Sequence, residues 1–279
     1  MFKVLIIGYS GQLASSLREV MKEAVFASRS GPLNLDLIKT ETILDRLNSI
    51  NPDVIVNAAG MTAVDMCEIE RREAYLINGI SVREICRYSR RKGARYIHIS
   101  TDFVFDGNDG NYKEDSIPNP INFYGMSKLI GDTFALSCDD SLVIRTSGVF
   151  GSSKNFPRYV VEKLSKGESV TAVKGFYSPI FSGLLAKAID EIAFSEQKGI
   201  LNIAGERISR KNFAIKIADK FGLRKELINE NEGVVKFVAR RPFDSSLDIS
   251  LGKKILDFDF YTTETNINEF FKFLESNSF

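Results

Sequence analysis

Histidine is almost absent from this chain of 279 residues, and cysteine is scarce. The one histidine, His98, lies in an apolar stretch and reads as a packing residue. Cys67, Cys86 and Cys138 are odd in number, far apart in sequence and not spaced as metal ligands, which argues against a disulfide framework and for a reduced compartment. All three read as packing residues. With no carboxylate cluster standing out either, no metal site is expected. An excess of charge is also lacking. Lys+Arg 37 against Asp+Glu 36 leaves a net charge of +1, and such a balance supplies no overall field toward nucleic acid or a membrane surface. Long apolar runs are missing as well: MFKVLIIGYSG breaks at glycine, and no later stretch approaches the roughly 18 apolar residues of a membrane span. The expectation is a soluble, cytoplasmic protein with neither nucleic acid nor membrane as partner.

What is present is a rhythm. Val4–Ile7 is apolar without alternation and stops at Gly8, as in a strand covered on both faces. GQLASSLREVMKE follows, with Leu13, Leu17, Val20 and Ala24 spaced for one helix face. Further apolar runs stand at Ala24–Ala27, Val54–Val56, Tyr96–Ile99 and Leu142–Ile144. Between them lie the helical patterns Ile43, Leu47, Ile50 and Ala74, Ile77, Ser81, Ile85, Tyr88. Alternation of this kind predicts an α/β fold, a doubly wound parallel sheet with right-handed crossovers. Past Gly151 the rhythm changes: a helix in FPRYVVEKLSKG, a loop in VKGFYSPIFSG, a helix at Leu184–Phe194 and a strand in ILNIAG. A helix at Arg210–Phe221 and a terminal helix from near Glu264 complete the chain. The division expected is a dinucleotide-binding domain over 1–150, rejoined at about 180–204, and a smaller α+β substrate domain over 151–179 and 205–279.

GYSGQLA places Gly8 and Gly11 directly after the first strand, with Ala14 at the helix start. Glycines there permit a tight turn and close approach of a pyrophosphate, and the helix N-terminus offers unpaired N–H groups and a positive dipole end. The spacing is GxxGxxA rather than GxGxxG. At the end of the second strand, AVFASRSG holds Ser28, Arg29 and Ser30 where an acid would bind a ribose 2′-hydroxyl. A guanidinium flanked by hydroxyls favours NADPH, with NADH as the alternative. Asp36, in LNLDL, is suited to accept from the adenine amino group or to cap the following helix.

Three tyrosines have a lysine four residues on, a spacing that brings side chains about 5–6 Å apart at Cβ on a helix. They are Tyr88 with Lys92, Tyr124 with Lys128, and Tyr159 with Lys163. A hydride-transfer site belongs at the carboxyl ends of the parallel strands. Tyr88 falls in a crossover helix before the HISTD strand, and Tyr159 lies beyond the Leu142–Ile144 strand. Only Tyr124, in YGMSK, begins a helix after HISTD, whose Thr101 ends at the sheet's carboxyl edge.

These residues resemble the extended short-chain dehydrogenase/reductase superfamily: GxxG after the first strand, NAAG after a later one, a Ser-Thr strand end and YxxxK beyond it. More narrowly, VNAAGMTAVDMCE, HISTDFVFDG, INFYGMSK, IRTSGVFG and RRPFDSSLD are similar to the dTDP-4-dehydrorhamnose reductase family, over nearly the whole chain. The resemblance implies NADPH-dependent reduction of a 4-keto nucleotide sugar. Tyr124 would donate the proton to the C4 oxygen, Lys128 would hold the nicotinamide ribose and, with a charged nicotinamide, lower the phenol pKa from about 10, and Thr101 would orient the carbonyl. It further implies cofactor contacts from Gly8, Gly11, Gln12, Leu13, Ser28, Arg29, Asp36, Leu37, Ala58, Ala59, Thr62 and Ser100. Substrate contacts would come from Asp102, Phe103, Val104, Thr146, Ser147 and, for the diphosphate, Arg241. Asn78 matches a central-helix asparagine of largely structural role.

Two departures bear on the reaction. Phe103 stands where the related dehydratases carry the glutamate of Thr-Asp-Glu, which leaves simple reduction. Gly148 replaces a bulky aromatic, which would loosen one pocket wall and leave the sugar preference open. Asp102 is left between a sugar contact and a turn cap. Other readings stay open: a dinucleotide-binding regulatory subunit similar to that of methionine adenosyltransferase, a reductase or epimerase of another nucleotide sugar, and a homodimer through a helix face.

Overall fold

In the computed structural model, which describes residues 2–231 and 237–277, strands and helices alternate through the first half of the chain. They are β1 (Val4–Ile7), α1 (Gln12–Val20), β2 (Val25–Ser28), β3 (Leu33–Asn34), α2 (Thr40–Ile50), β4 (Val54–Asn57), α3 (Val64–Ile69), α4 (Arg71–Tyr75), a π-helical turn (Leu76–Ile80), α5 (Ser81–Lys92), β5 (Arg95–Thr101), a short 3-10 turn (Asp102–Val104), α6 (Phe123–Ala135) and β6 (Ser141–Thr146). The second half holds α7 (Phe156–Ser165), β7 (Val170–Val173), β8 (Phe176–Tyr177), α8 (Ser182–Ile192), β9 (Gly199–Asn202), β10 (Ile208–Ser209), α9 (Arg210–Lys220), β11 (Ile228–Asn231), α10 (Ser250–Ile255) and α11 (Thr263–Ser276).

Seven strands form one sheet in the order β3-β2-β1-β4-β5-β6-β9, with every pairing parallel. This is the doubly wound arrangement, with its crevice outside the strands' carboxyl ends. The unbroken apolar runs follow from it, because successive residues point to opposite faces and both faces are covered. Val4 and Ile6 pack with Val54, Val56, Leu142 and Ile144 under α1 and α8, represented by Leu17, Leu185 and Ile189. Leu5 and Ile7 pack with Ile55 and Val143 under α2 and α5, represented by Ile43, Leu47, Val82 and Ile85.

Residues beyond β6 return to the sheet once, through α8 and β9, which pairs with β6. The rest builds two small sheets, β10 with β8 and β11 with β7, beside α7, α9 and α11. Phe213, Phe260 and Phe270 of this part join the apolar cluster beneath α8.

Two expectations need correction. α1 stops at Val20, which is 37% exposed, and Met21 turns inward instead. The pattern from Ala74 to Tyr88 is not one regular helix but α4, a π-turn and α5. β3 is only two residues long, too short for any periodicity to reveal. Cys86 and Cys138, distant in sequence, are buried in one apolar cluster as the packing residues expected, and the Cys86 thiol donates to Phe134 O at 3.2 Å. Among the described residues, no helix is long and apolar enough to cross a membrane.

Candidate active site

A cavity of about 590 Å³ opens along the carboxyl ends of β1, β4, β5 and β6. At one end lies the glycine turn. Gly8 has φ +118°, so the turn needs glycine for its backbone angle, and the turn lies against the Ala58–Ala59 backbone at the end of β4. Gly11 precedes the first turn of α1 with no side-chain cap, which leaves N–H groups facing the cavity end. Gln12, Leu13, Ser28, Ala58, Ala59 and Thr62 line the wall as expected. Gln12 also ties the loop after β6 to the turn: its amide nitrogen donates to Val149 O at 3.1 Å, and Asn155 donates to its oxygen at 2.9 Å. That loop brings Ser153 and Lys154 to the wall. The sequence reading missed both, although a cation just past a strand's carboxyl end was a visible signal.

At the other end Ser100, Thr101, Tyr124, Lys128 and Thr146 meet on the wall. α6 begins at Phe123 because Asn122 caps it, its side chain accepting from the Gly125 N–H at 2.8 Å. Gly125 lets the helix press on the strand end, since a Cβ there would fall 2.0 Å from Phe103 O. Tyr124 therefore shares the cavity wall with Thr101, while the Phe103 ring stands edge-on to it with centroids 5.7 Å apart. Burial pushes the Tyr124 phenol above its ordinary range, with the Thr101 hydroxyl only partly offsetting it. The lowering expected from Lys128 together with a charged nicotinamide concerns the loaded site; in the chain's own surroundings burial dominates. Burial also lowers Lys128, to about 8, against the opposing pull of Asp132. Its ammonium donates to Ile99 O at 2.6 Å. Asn78, in the π-turn, donates to Met61 O and Ser127 Oγ at 3.0 and 2.9 Å and accepts from the Met61 N–H at 2.8 Å, fixing the loop after β4 to α6. A π-turn at such a junction is typical of functional sites.

Several expected contacts lie elsewhere. Asp102 is 3% exposed, and its carboxylate accepts from Thr101, Ser147 and Ser245 hydroxyls at 3.0, 2.7 and 2.5 Å. It is therefore an internal tie and lines neither a sugar pocket nor a surface turn. Ser147 is buried with it, and Val104 and Leu37 are core residues, all three off the cavity wall. Asp36 accepts from the Ile38 N–H at 3.2 Å, a turn contact just before α2 and away from the wall. Arg29 is exposed beside Ser28, beyond the wall itself. Arg241 is not a free loop charge: it pairs with Asp65 at 3.1 Å and donates to Ala239 O at 2.9 Å. Nor does Gly148 leave a gap. It has φ +51°, and a Cβ there would meet the Tyr177 ring at 2.7 Å, so Tyr177 fills the space a larger residue would take. The other two tyrosines are sorted as expected. Tyr88 is buried and donates to Pro52 O at 3.0 Å. Tyr159 is 41% exposed and lines a second groove of about 440 Å³ with Phe156, Tyr177, Arg210 and Phe237.

The donor set of the main cavity fits a dinucleotide. Its only charged lining side chains are Lys128 and Lys154, with no carboxylate among the described lining residues. The model of the RmlD substrate binding domain family matches residues 2–276. The dTDP-4-dehydrorhamnose reductase of Aggregatibacter actinomycetemcomitans is 32% identical over 90% of this chain and 92% of its own. A hypothetical dTDP-4-dehydrorhamnose reductase from Sulfolobus tokodaii, solved by crystallography, is 49% identical with a TM-score of 0.88, covering 93% of this chain and 97% of that one. The Bacillus anthracis dTDP-4-dehydrorhamnose reductase, solved in complex with NADP, is 27% identical with a TM-score of 0.87, covering 97% and 99%. With a doubly wound sheet, the family match over residues 2–276 and relatives that align over nearly the whole chain, this chain belongs to the dTDP-4-dehydrorhamnose reductase family of oxidoreductases.

Proposed function

We propose that the protein reduces the 4-keto group of dTDP-4-dehydrorhamnose to give dTDP-L-rhamnose, with NADPH as reductant, NADH as the alternative, and Tyr124 as general acid. The observation that carries this reading is the meeting of Thr101, Tyr124 and Lys128 on a wall that continues into the Gly8–Gln12 turn. The dinucleotide, when bound, supplies the hydride. The chain's own residues supply position and a proton. The turn and the α1 N-terminus would hold the pyrophosphate. Lys128 would hold the nicotinamide ribose with the N–H groups not given to Ile99 O.

Tyr124, kept protonated by burial, would pass its proton to the C4 oxygen, and the Lys128 ammonium would stabilise the phenolate left behind. Phe103 in place of a carboxylate supports reduction over dehydration. The residues of 151–179 and 205–279 would form the substrate side, where Phe156, Tyr159 and Phe237 offer ring faces for a planar base and Arg210 a cation for phosphate.

The test is oxidation of NADPH and NADH, followed by nicotinamide absorbance, with the 4-keto sugar nucleotide generated in place. Turnover that disappears in Tyr124→Phe is expected. Tight dinucleotide binding without turnover of this sugar would sink the substrate assignment.

A further inference from the structure

The single histidine is not a packing residue alone. His98 is completely buried on β5, and each of its ring nitrogens meets a polar side chain. Nε2 stands 3.4 Å from the Lys128 ammonium and 3.6 Å from Asp132 Oδ1, both on α6. Nδ1 stands 3.1 Å from the Tyr96 hydroxyl, which also accepts from the Asn57 amide at 3.2 Å. α6 can approach this closely only because residue 131 is glycine: a Cβ there would lie 3.2 Å from His98 Nε2.

An ammonium only donates, so the ring nitrogen that faces it must present a lone pair. The ring proton then belongs on Nδ1, shared with the Tyr96 oxygen. Protonating the ring would set a second cation against Lys128 in a fully buried site, and burial together with the lysine holds the imidazole well below its ordinary range. The titratable and charged groups facing the ring are Tyr96 on its own strand, Lys128 and Asp132 on α6 and, behind Asp132 at 3.6 Å, Arg145 on β6.

We propose that His98 is a positioning residue for Lys128: as a neutral Nδ1–H imidazole it accepts from the ammonium, holds it against Ile99 O, and so keeps the lysine charged and aimed at the cavity. The pairing acts with Asp132, whose carboxylate supplies the balancing charge next to the same ring nitrogen. A buried lysine without acceptors loses its proton, and Tyr124 then loses the charge that would stabilise its phenolate. The inference rests on the role given to Lys128 above, and its first test needs no turnover.

Because the chain has one histidine, the imidazole ¹⁵N spectrum of the labelled protein reports His98 without assignment. The expected result is a neutral ring carrying its proton on Nδ1, unchanged between about pH 5.5 and 8. A ring that titrates near its ordinary value of about 6.5, or one protonated on Nε2, would overturn the proposal. The second test compares His98→Gln, whose amide oxygen keeps an acceptor, with His98→Leu, which has none. In the folded leucine variant the alkaline limb of kcat/KM should move down by at least about one pH unit, a loss of about fivefold at pH 8, while the glutamine variant stays near the parent. Superimposable profiles would show a space-filling role only and reject the proposal. Should His98→Leu fail to fold, His98→Asn, too short to reach the ammonium, takes its place with the same two outcomes. Absence of turnover on the proposed sugar would fall on the substrate assignment, since the ¹⁵N result is read without substrate.

Discussion

Glu68 Oε1 accepts a hydrogen bond from the backbone N–H of Phe123 at 2.6 Å, so a carboxylate on α3 closes the first turn of the helix that carries Tyr124. Its other oxygen takes Arg71 at 2.8 Å, and the Arg71 guanidinium lies over the Phe123 ring. The first N–H groups of a helix lack internal partners, and a negative charge there also suits the dipole. Burial alone would raise the Glu68 carboxyl, but the Phe123 N–H and Arg71 hold it below its ordinary value of 4.5. The folded pKa being the lower one, the contribution is full above about 4.5 and is lost as pH falls through the folded value. Glu68→Ala should lower stability by about 1–2 kcal/mol at neutral pH and reduce kcat more than it raises KM. Equal unfolding curves for variant and parent at pH 7 would remove this role.

The three Tyr-Lys pairs separate experimentally. Tyr124→Phe should abolish turnover yet leave NADPH affinity, read by quenching or enhancement of cofactor fluorescence, within about twofold. Tyr88→Phe should keep activity but lose about 1–3 kcal/mol of stability, because Pro52 O is left buried without its donor. Tyr159→Phe should change neither measurement appreciably, as its ring remains in the groove. Normal turnover by Tyr124→Phe would mean that the wrong pair was chosen.

How far the sequence reached depends on range. The apolar run Val4–Ile7, the glycine turn and YGMSK are local patterns, and each stands where its chemistry required. Asp102 was misread because its partners Ser147 and Ser245 lie 45 and 143 residues away, and no local spacing connects them. His98 is buried as expected, but its polar partners were out of reach for the same reason: Lys128 is 30 residues on, and only the crossing of β5 under α6 brings the two together. Gly148 suggested an open wall, yet Tyr177 from β8 occupies it.

Arg29 is exposed beside the wall residue Ser28 at the end of β2, and we propose that it meets a 2′-phosphate. Arg29→Ala should weaken NADPH by roughly tenfold and NADH by less than about twofold, the difference shrinking in high salt. Isothermal titration with both dinucleotides measures it, and equal losses would end the argument for a phosphate contact.

The pH profile of the parent enzyme follows from Lys128. Burial lowers its pKa to about 8, so the ammonium persists at neutral pH and is lost above that value. Because kcat/KM reports the free enzyme, it should be level near pH 7 and fall about tenfold per unit well above 8. Asp132 opposes the lowering, so Asp132→Asn should move the fall to lower pH. A fall beginning only near the ordinary lysine range, about 10, would show that the buried ammonium does not govern turnover.

Gly131→Ala tests the close approach of α6 to the π-turn. An alanine is the better helix former by about 1 kcal/mol, so helix propensity alone predicts a gain. The Cβ, however, would fall 2.3 Å from the Asn78 carbonyl oxygen and 3.2 Å from His98 Nε2. Both are fixed: Asn78 is tied to Met61 and Ser127, and His98 to Tyr96. Overpacking at a site that cannot yield costs about 1–3 kcal/mol or more, so the clash should win and the Tm should drop by several degrees. Moving α6 outward would also draw Lys128 away from Ile99 O and His98, so the variant should lose activity at temperatures where it remains folded. A raised Tm with full activity would show that the helix can shift without disturbing the lysine, and would weaken both the packing argument and the placement of Lys128 by its neighbours.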